Sequence, residues 1–192
     1  MSPQRSNRAQ LIEGTLRCLE RLPPERVTAR VIADESGANL ASITYHFGSK
    51  DELVTEAVVA GLDRWLAEIG RRLDEMAARA PEERFRAALA VVEESRRDHE
   101  GLARTFLGAL AKAQHDARVR ALLAEGFRRS RAEVARVLGL GADAAGRDAG
   151  GLALALFDGL LFQSLIDPGL AIEGERMVRA QARLRTVMPA EG

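Results

Sequence analysis

Apolar residues recur three and four positions apart along most of the chain, the spacing that gathers them on one side of an α-helix. The longest run, Val54, Val58, Leu62, Trp65, Ile69, Leu73 and Met76, predicts a single long helix with one apolar stripe. Ile12, Leu16 and Leu19 repeat that spacing in a first helix from about Ser6 to Leu22, whose apolar face also holds Leu11, Thr15 and Cys18. Pro23 and Pro24 end it, since neither can donate the helical hydrogen bond. Thr28 reads as the N-cap of a short second helix reaching Ser36, because its hydroxyl can accept from an orphan amide. Gly37 supplies the turn, and a third short helix from Asn39 to Phe47 stops at Gly48. Ser49 caps the long fourth helix, with Asp51 and Glu52 in the first turn where the helix dipole favours acid.

Beyond the long helix, Pro81 opens a fifth with Phe85, Leu89 and Val92. A sixth is predicted over 102–113 with Leu102, Phe106 and Leu110, and a seventh over 116–138 with Val119, Leu123, Phe127, Val134 and Val137. Gly139 to Gly151, rich in Gly, Ala and Asp, predicts a flexible link. An eighth helix over 152–166 is apolar nearly all round, and a ninth runs from Glu173 to Met188 after the stop at Pro168-Gly169. No run alternates apolar and polar as a strand does. The expectation is an all-α protein of nine helices, with a three-helix head over residues 1–50 and a body over 51–192.

Composition changes this picture little. Among 192 residues, 46% are apolar and 29% charged, a globular balance. The formal net charge is zero, with the first fifty residues only slightly basic, so charge alone announces no nucleic-acid partner. Any such reading rests on motif and geometry. The single Cys18 excludes an internal disulfide and suits a reducing compartment, where it is expected as a small buried hydrophobe. The N-terminus lacks the apolar core of a signal peptide, and the apolar run Leu152 to Ile166 is shorter than a bilayer span and carries Asp158 and Gln163. These features predict a soluble, cytoplasmic protein with no membrane contact.

Residues 28–53, TARVIADESGANLASITYHFGSKDEL, place two short helices around a glycine, which is what a helix-turn-helix requires. Burying Ile43 and Phe47, one turn apart, turns Asn39, Leu40, Ser42, Thr44, Tyr45 and His46 outward on a helix short enough for a major groove. This segment resembles the TetR family of transcriptional repressors. The resemblance is carried by Thr28, Ile32-Ala33, Gly37, the short helix to His46, Phe47, and Ser49-Lys50-Asp51-Glu52-Leu53. One departure stands out: the family's usual Tyr falls at Thr44 here, and the ring comes one residue later, at Tyr45. The resemblance implies that Thr28 and the amides behind it meet a phosphate. It implies that Arg30 reaches a base edge or the backbone, that Asn39, Leu40, Ala41, Ser42 and Thr44 face bases, and that Tyr45, His46 and Lys50 hold phosphates.

For the body, the resemblance implies a small-molecule effector enclosed by the fourth to seventh helices, with Trp65, His99, Phe106 and Phe127 as candidate lining, and a homodimer built on the last two helices. The eighth helix is consistent with this, since an all-round apolar helix needs cover on both sides, either a partner subunit or the core of a monomer. Candidates for the subunit contact are Leu154, Phe157, Asp158, Leu161, Phe162, Leu165, Met177 and Leu184. The function expected is a ligand-responsive repressor released from a palindromic stretch of double-stranded operator DNA. No cofactor or metal is expected. An enzyme is the rival reading, yet the chain has no G-x-S-x-G, H-E-x-x-H, paired Cys or phosphate-loop signature. Gly139-Leu140-Gly141 starts like a dinucleotide fingerprint, but its third glycine is misplaced and no strand precedes it. A second rival is a DNA-binding protein without a sensor, whose body would enclose no cavity.

Overall fold

A computed structural model of the chain describes residues 7–75, 80–95 and 98–187. Ser6, Met76 and Met188, which the apolar pattern assigned to helices, lie outside these residues. The described residues are all-α, with nine α-helices: α1 (Asn7–Arg21), α2 (Ala29–Ser36), α3 (Ala41–Phe47), α4 (Lys50–Asp74), α5 (Pro81–Ser95), α6 (Glu100–Lys112), α7 (Ala117–Leu138), α8 (Ala144–Ile166) and α9 (Gly174–Leu184). Single turns of 3-10 helix at Pro24–Arg26 and Pro168–Leu170 follow the two proline signals.

The caps are those the sequence predicts. The Thr28 hydroxyl accepts from the Val31 amide at 3.3 Å, and the Ser49 hydroxyl accepts from the Glu52 amide at 3.1 Å. Gly37 ends α2 at φ +63°, a left-handed turn that costs a residue without a side chain little. Helix α3 begins two residues later than the pattern placed it, with Leu40 at its N-cap, and the Asn39 carboxamide oxygen accepts from the Ala41 amide at 2.9 Å in the turn that leads in.

One expectation fails outright. The segment predicted as a flexible link to Gly151 is mostly helix, since α8 starts at Ala144. The Asp143 carboxylate accepts from the Gly146 amide at 2.8 Å and caps it. Of the glycines that suggested flexibility, Gly139 and Gly141 make the turn at positive φ, and Gly150 serves close approach. A Cβ on Gly150 would lie 2.4 Å from the Arg131 carbonyl oxygen, so only glycine lets α8 touch the backbone of α7. This lengthening overturns the argument that the apolar run is too short for a bilayer. The 23-residue α8, by length and composition, could cross one, and only 17% of its most apolar window is buried within the chain.

Two adjoining apolar clusters form the core. The first joins Leu11, Cys18, Ile32, Ile43 and Phe47 of the first three helices to Leu53 and Val58 of α4 and to Leu102, Phe106, Val119 and Leu123 of α6 and α7. The second packs Trp65, Ile69 and Leu73 of α4 against Ala88, Val134, Val137 and Leu161 from α5, α7 and α8. Helix α4 runs through both, so it is the mechanical link between the first three helices and the remainder. Cys18 is fully buried, as expected of a small hydrophobe.

Candidate nucleic-acid interface and small-molecule cavity

The first three helices hold one another through Ile32, Ile43 and Phe47, all buried. That inward set fixes what is left outside. Thr28, Arg30, Asn39, Leu40, Ala41, Thr44 and Tyr45 are exposed, while Ser42, His46 and Lys50 are half-buried. Tyr45 is the most open of them at 84%, its ring edge-on to His46 at 4.8 Å between centroids. A tyrosine with so little packing is held for something outside the chain or for nothing. Below it, the Arg8 guanidinium lies 5.2 Å from the centroid of the Phe47 ring and pairs with Glu56, bracing α3 against α1 and α4.

The start of α2 is the anion-friendly point. Its first amides have no carbonyl partner within the helix, and the Thr28 hydroxyl takes only the one from Val31. Lys50, twenty-three residues on, reaches back so that its ammonium donates to the Val27 carbonyl at 3.5 Å. The fold thus brings together Thr28 and Lys50, two residues the sequence separates widely.

Immediately behind Lys50, the first turn of α4 is clasped from the body. Asp51 accepts from Lys112 at the end of α6 and lies 3.6 Å from Lys50 itself. Glu52 accepts from Arg118 in the first turn of α7 at 3.2 Å. The Lys112 hydrogen bond is the main cause that holds the Asp51 carboxyl below its ordinary range. Neither the Lys112 nor the Arg118 pairing was legible in the sequence, where each residue is one more base on a helix.

A cavity of about 110 Å³ lies between α4, α5, α6, α7 and α8. Trp65, Phe106 and Phe127 line it, as the sequence suggested. His99 is not in its walls; its ring stacks on Trp65, with centroids 4.5 Å apart and planes 6° from parallel. Phe106 in turn meets Phe127 and Phe162, each at 5.8 Å between centroids. Against this apolar lining stand Asp63, Ser130 and Asp158. Asp63 is paired with Arg129 at 2.9 Å. Among the described residues no basic group pairs with Asp158, and burial alone pushes its carboxyl up to about 6.

The residues considered for a subunit contact divide unequally. Leu154, Phe157, Asp158 and Leu161 line the cavity, and Phe162 and Leu165 pack against the chain's own core. Met177 is buried and lines a second cavity of about 260 Å³ between α5, α8 and α9. Of this set, Leu184 stands half open at 50%. The apolar residues that do face outward are others: Leu152, Leu156 and Ile166 on α8, and Val178 on α9. Periodicity identified α8 as too apolar for one stripe, but it could not say which side of the helix meets α5 and α7.

Residues 11–57 match the family described as bacterial regulatory proteins, tetR family, and residues 81–186 match the family described as BetI-type transcriptional repressor, C-terminal. The chain is similar to the HTH-type transcriptional regulator BetI of Burkholderia ambifaria strain MC40-6, with 30% identity over 167 residues, 84% of each chain. Among solved structures, a transcriptional regulator from Pseudomonas aeruginosa PAO1 superposes with a TM-score of 0.60 at 26% identity, covering 84% of this chain and 80% of the other. A transcriptional regulator from Streptomyces coelicolor A3(2) also gives 0.60, at 25% identity over 96% of this chain and 99% of the other.

Proposed function

Because this chain belongs to the TetR family of bacterial regulatory proteins and is a DNA-binding transcriptional repressor, we propose that it acts as a homodimer that leaves a palindromic operator when a small molecule fills the cavity between α4 and α8. The observation that carries this reading is the continuity of the path. Helix α4 lines the cavity through Trp65 and Ile69, and its first turn holds Lys50 against the opening of α2.

On DNA, the open amides of α2 with Thr28 and Lys50 take one phosphate, where backbone donors, helix dipole and ammonium act together. Tyr45 and His46 take further phosphates. Arg30, Asn39, Leu40, Ala41, Ser42 and Thr44 present donors, acceptors and small apolar groups to base edges in the major groove. Asn39 spends its oxygen on the Ala41 amide and keeps its amide hydrogens for a base acceptor.

One such head reads few base pairs. Two heads placed about one helical turn apart, ~34 Å, or a multiple of it, would read a site with matching two-fold symmetry. The outward apolar positions Leu152, Leu156 and Ile166 of α8 give a second copy something to cover, with α9 contributing Val178 and Leu184. Such cover also accounts for an α8 that is largely unburied in one chain without placing it in a membrane. As a regulator of operator DNA the protein works in the cytoplasm. Its cavity binds and does not convert, so an effector is expected to be recovered unchanged.

Occupancy of the cavity biases the two heads away from the operator spacing, and the operator in turn weakens effector binding by the same factor. Fluorescence anisotropy on a selected operator duplex tests this reading. Binding of two chains per duplex, reversed by fractions of a cell extract, supports it. Binding that no extract fraction reverses would leave a repressor without a sensor.

A further inference from the structure

The turn that opens α4 is acidic. Lys50, Asp51 and Glu52 supply one base and two acids, a net charge of −1. Two cations from the body reverse that sign. Lys112, the last residue of α6, donates to Asp51 Oδ2, and Arg118, in the first turn of α7, donates to Glu52 Oε1 at 3.2 Å. With both in place, the five side chains carry a net charge of +1. The corner that presents the two cations is itself held. The Asp116 carboxylate accepts from the Arg118 and Val119 amides, and the Arg120 guanidinium donates to the Ala113 and Gln114 carbonyls at 2.9 and 3.1 Å.

Asp51 is the point of contest. Its Oδ2 takes Lys112 while its Oδ1 lies 3.6 Å from the Lys50 ammonium, so one carboxylate faces two bases. Lys112 is the main cause that keeps this carboxyl below its ordinary range, and Lys50 contributes after it. Taking Lys50 as a phosphate contact, as proposed above, we infer that Asp51 competes with the operator phosphate for Lys50 and that Lys112 of the body decides the contest. With Lys112 on Asp51, the Lys50 ammonium is available to phosphate. With Lys112 withdrawn, Asp51 turns to Lys50, and its negative charge stands beside the phosphate's own. The body thus sets the charge of the DNA-binding surface without touching DNA, and Lys112 is a positioning residue for Lys50.

The full-length protein and its variants are titrated against one selected operator duplex at low salt, following fluorescence anisotropy. Both side chains of the pair are partly exposed, so the substitutions leave the core intact. Lys112→Ala is expected to weaken binding about threefold and Asp51→Asn to tighten it about threefold, the size of a partly exposed ion pair. Both differences shrink as salt rises. The double variant is expected to bind at least as tightly as the wild type, because removing the acid removes the need for its partner. A clasp that only braced the helix would give the reverse: Asp51→Asn would weaken binding as Lys112→Ala does, and the double variant would bind no better than either. That pattern overturns the inference, as does an Asp51→Asn protein that binds as the wild type does. In a Lys50→Ala background, Asp51→Asn is expected to change affinity by less than about twofold. A gain there as large as in the wild-type background would show that the acid does not act through Lys50, and also overturns it. Lys50→Ala alone tests the reading beneath. An unchanged salt slope removes Lys50 from the phosphate, whereas a slope lowered by about one, with no effect of Asp51→Asn, leaves that contact standing and overturns only the competition.

Discussion

At the scale of single residues, the meaning of a side chain here is set by its immediate neighbours, which a sequence names only in part. Lys50 sits in a dense motif, its ammonium beside the Val27 carbonyl at the opening of α2, and on the proposed function it neutralises a phosphate there. Lys50→Ala is expected to weaken binding to all duplexes alike and to lower the salt slope of log Kd by about one. An unchanged slope would remove Lys50 from the phosphate contacts. Arg30, exposed in the first turn of α2, is expected to behave differently. Arg30→Ala should cost roughly 1–3 kcal/mol at one base position if the residue reads a guanine, and an operator selection with the variant shows whether the loss is confined to one position.

Asp158 shows the opposite case. In the sequence it is a lone acid in an apolar helix and was assigned to the subunit contact; its cavity position depends on which side of α8 meets α5 and α7. Burial raises its carboxyl from 3.8 to about 6, so between about pH 4 and pH 6 the folded chain holds a proton that the unfolded chain has lost. The charged pair Asp63–Arg129 is the other ionised feature of the cavity lining, and it carries no net charge. Stability attributable to Asp158 therefore rises as pH falls from 6 toward 4, and its full cost is present above 6. Asp158→Asn is expected to stabilise the chain at pH 7.5 by about 1–3 kcal/mol, seen as a rise of several degrees in Tm that shrinks as pH falls from 6 toward 4. A lower Tm at pH 7.5 would mean that the carboxylate is held by favourable contacts.

At the scale of elements, periodicity and caps located all nine helices, because stripe, cap and stop depend on local chemistry alone. The largest misjudgement was the start of α8. Gly150 looks like a loop residue until α7 is laid against it, as Gly146 does until the Leu140 and Gly141 carbonyls are, and no local signal distinguishes a glycine needed for closeness from one needed for flexibility. Gly150→Val is expected to push α8 from α7 and to cost about 1–3 kcal/mol in urea unfolding, the range for overpacking. The clasp between α6, α7 and the first turn of α4 is likewise a product of tertiary structure. Lys112–Asp51 is a partly exposed pair and contributes little to stability. On the proposed mechanism its use is coupling. Lys112→Ala is expected to leave operator affinity within a few fold while shrinking the ratio of operator Kd with and without a releasing fraction of cell extract, whose full value for such coupling is about 5–150-fold. An undiminished ratio would show that the signal travels elsewhere along α4.

At the scale of the whole molecule, family and fold class were readable from the helical pattern and from residues 28–53, since a helix-turn-helix is a local object with a dense pattern. The body was readable only as helices. Its cavity, clasp and outward apolar face arise from how five helices meet, and each rests on pairs of residues far apart in the chain. Selection of the purified protein against random duplex DNA is the most direct measurement of the central claim. The expected result is a near-palindromic consensus bound by two chains, with the same consensus recovered at lower yield from Lys50→Ala at moderate salt. Failure of the wild-type protein to enrich any sequence at low salt, in the presence and absence of cell extract, would contradict it.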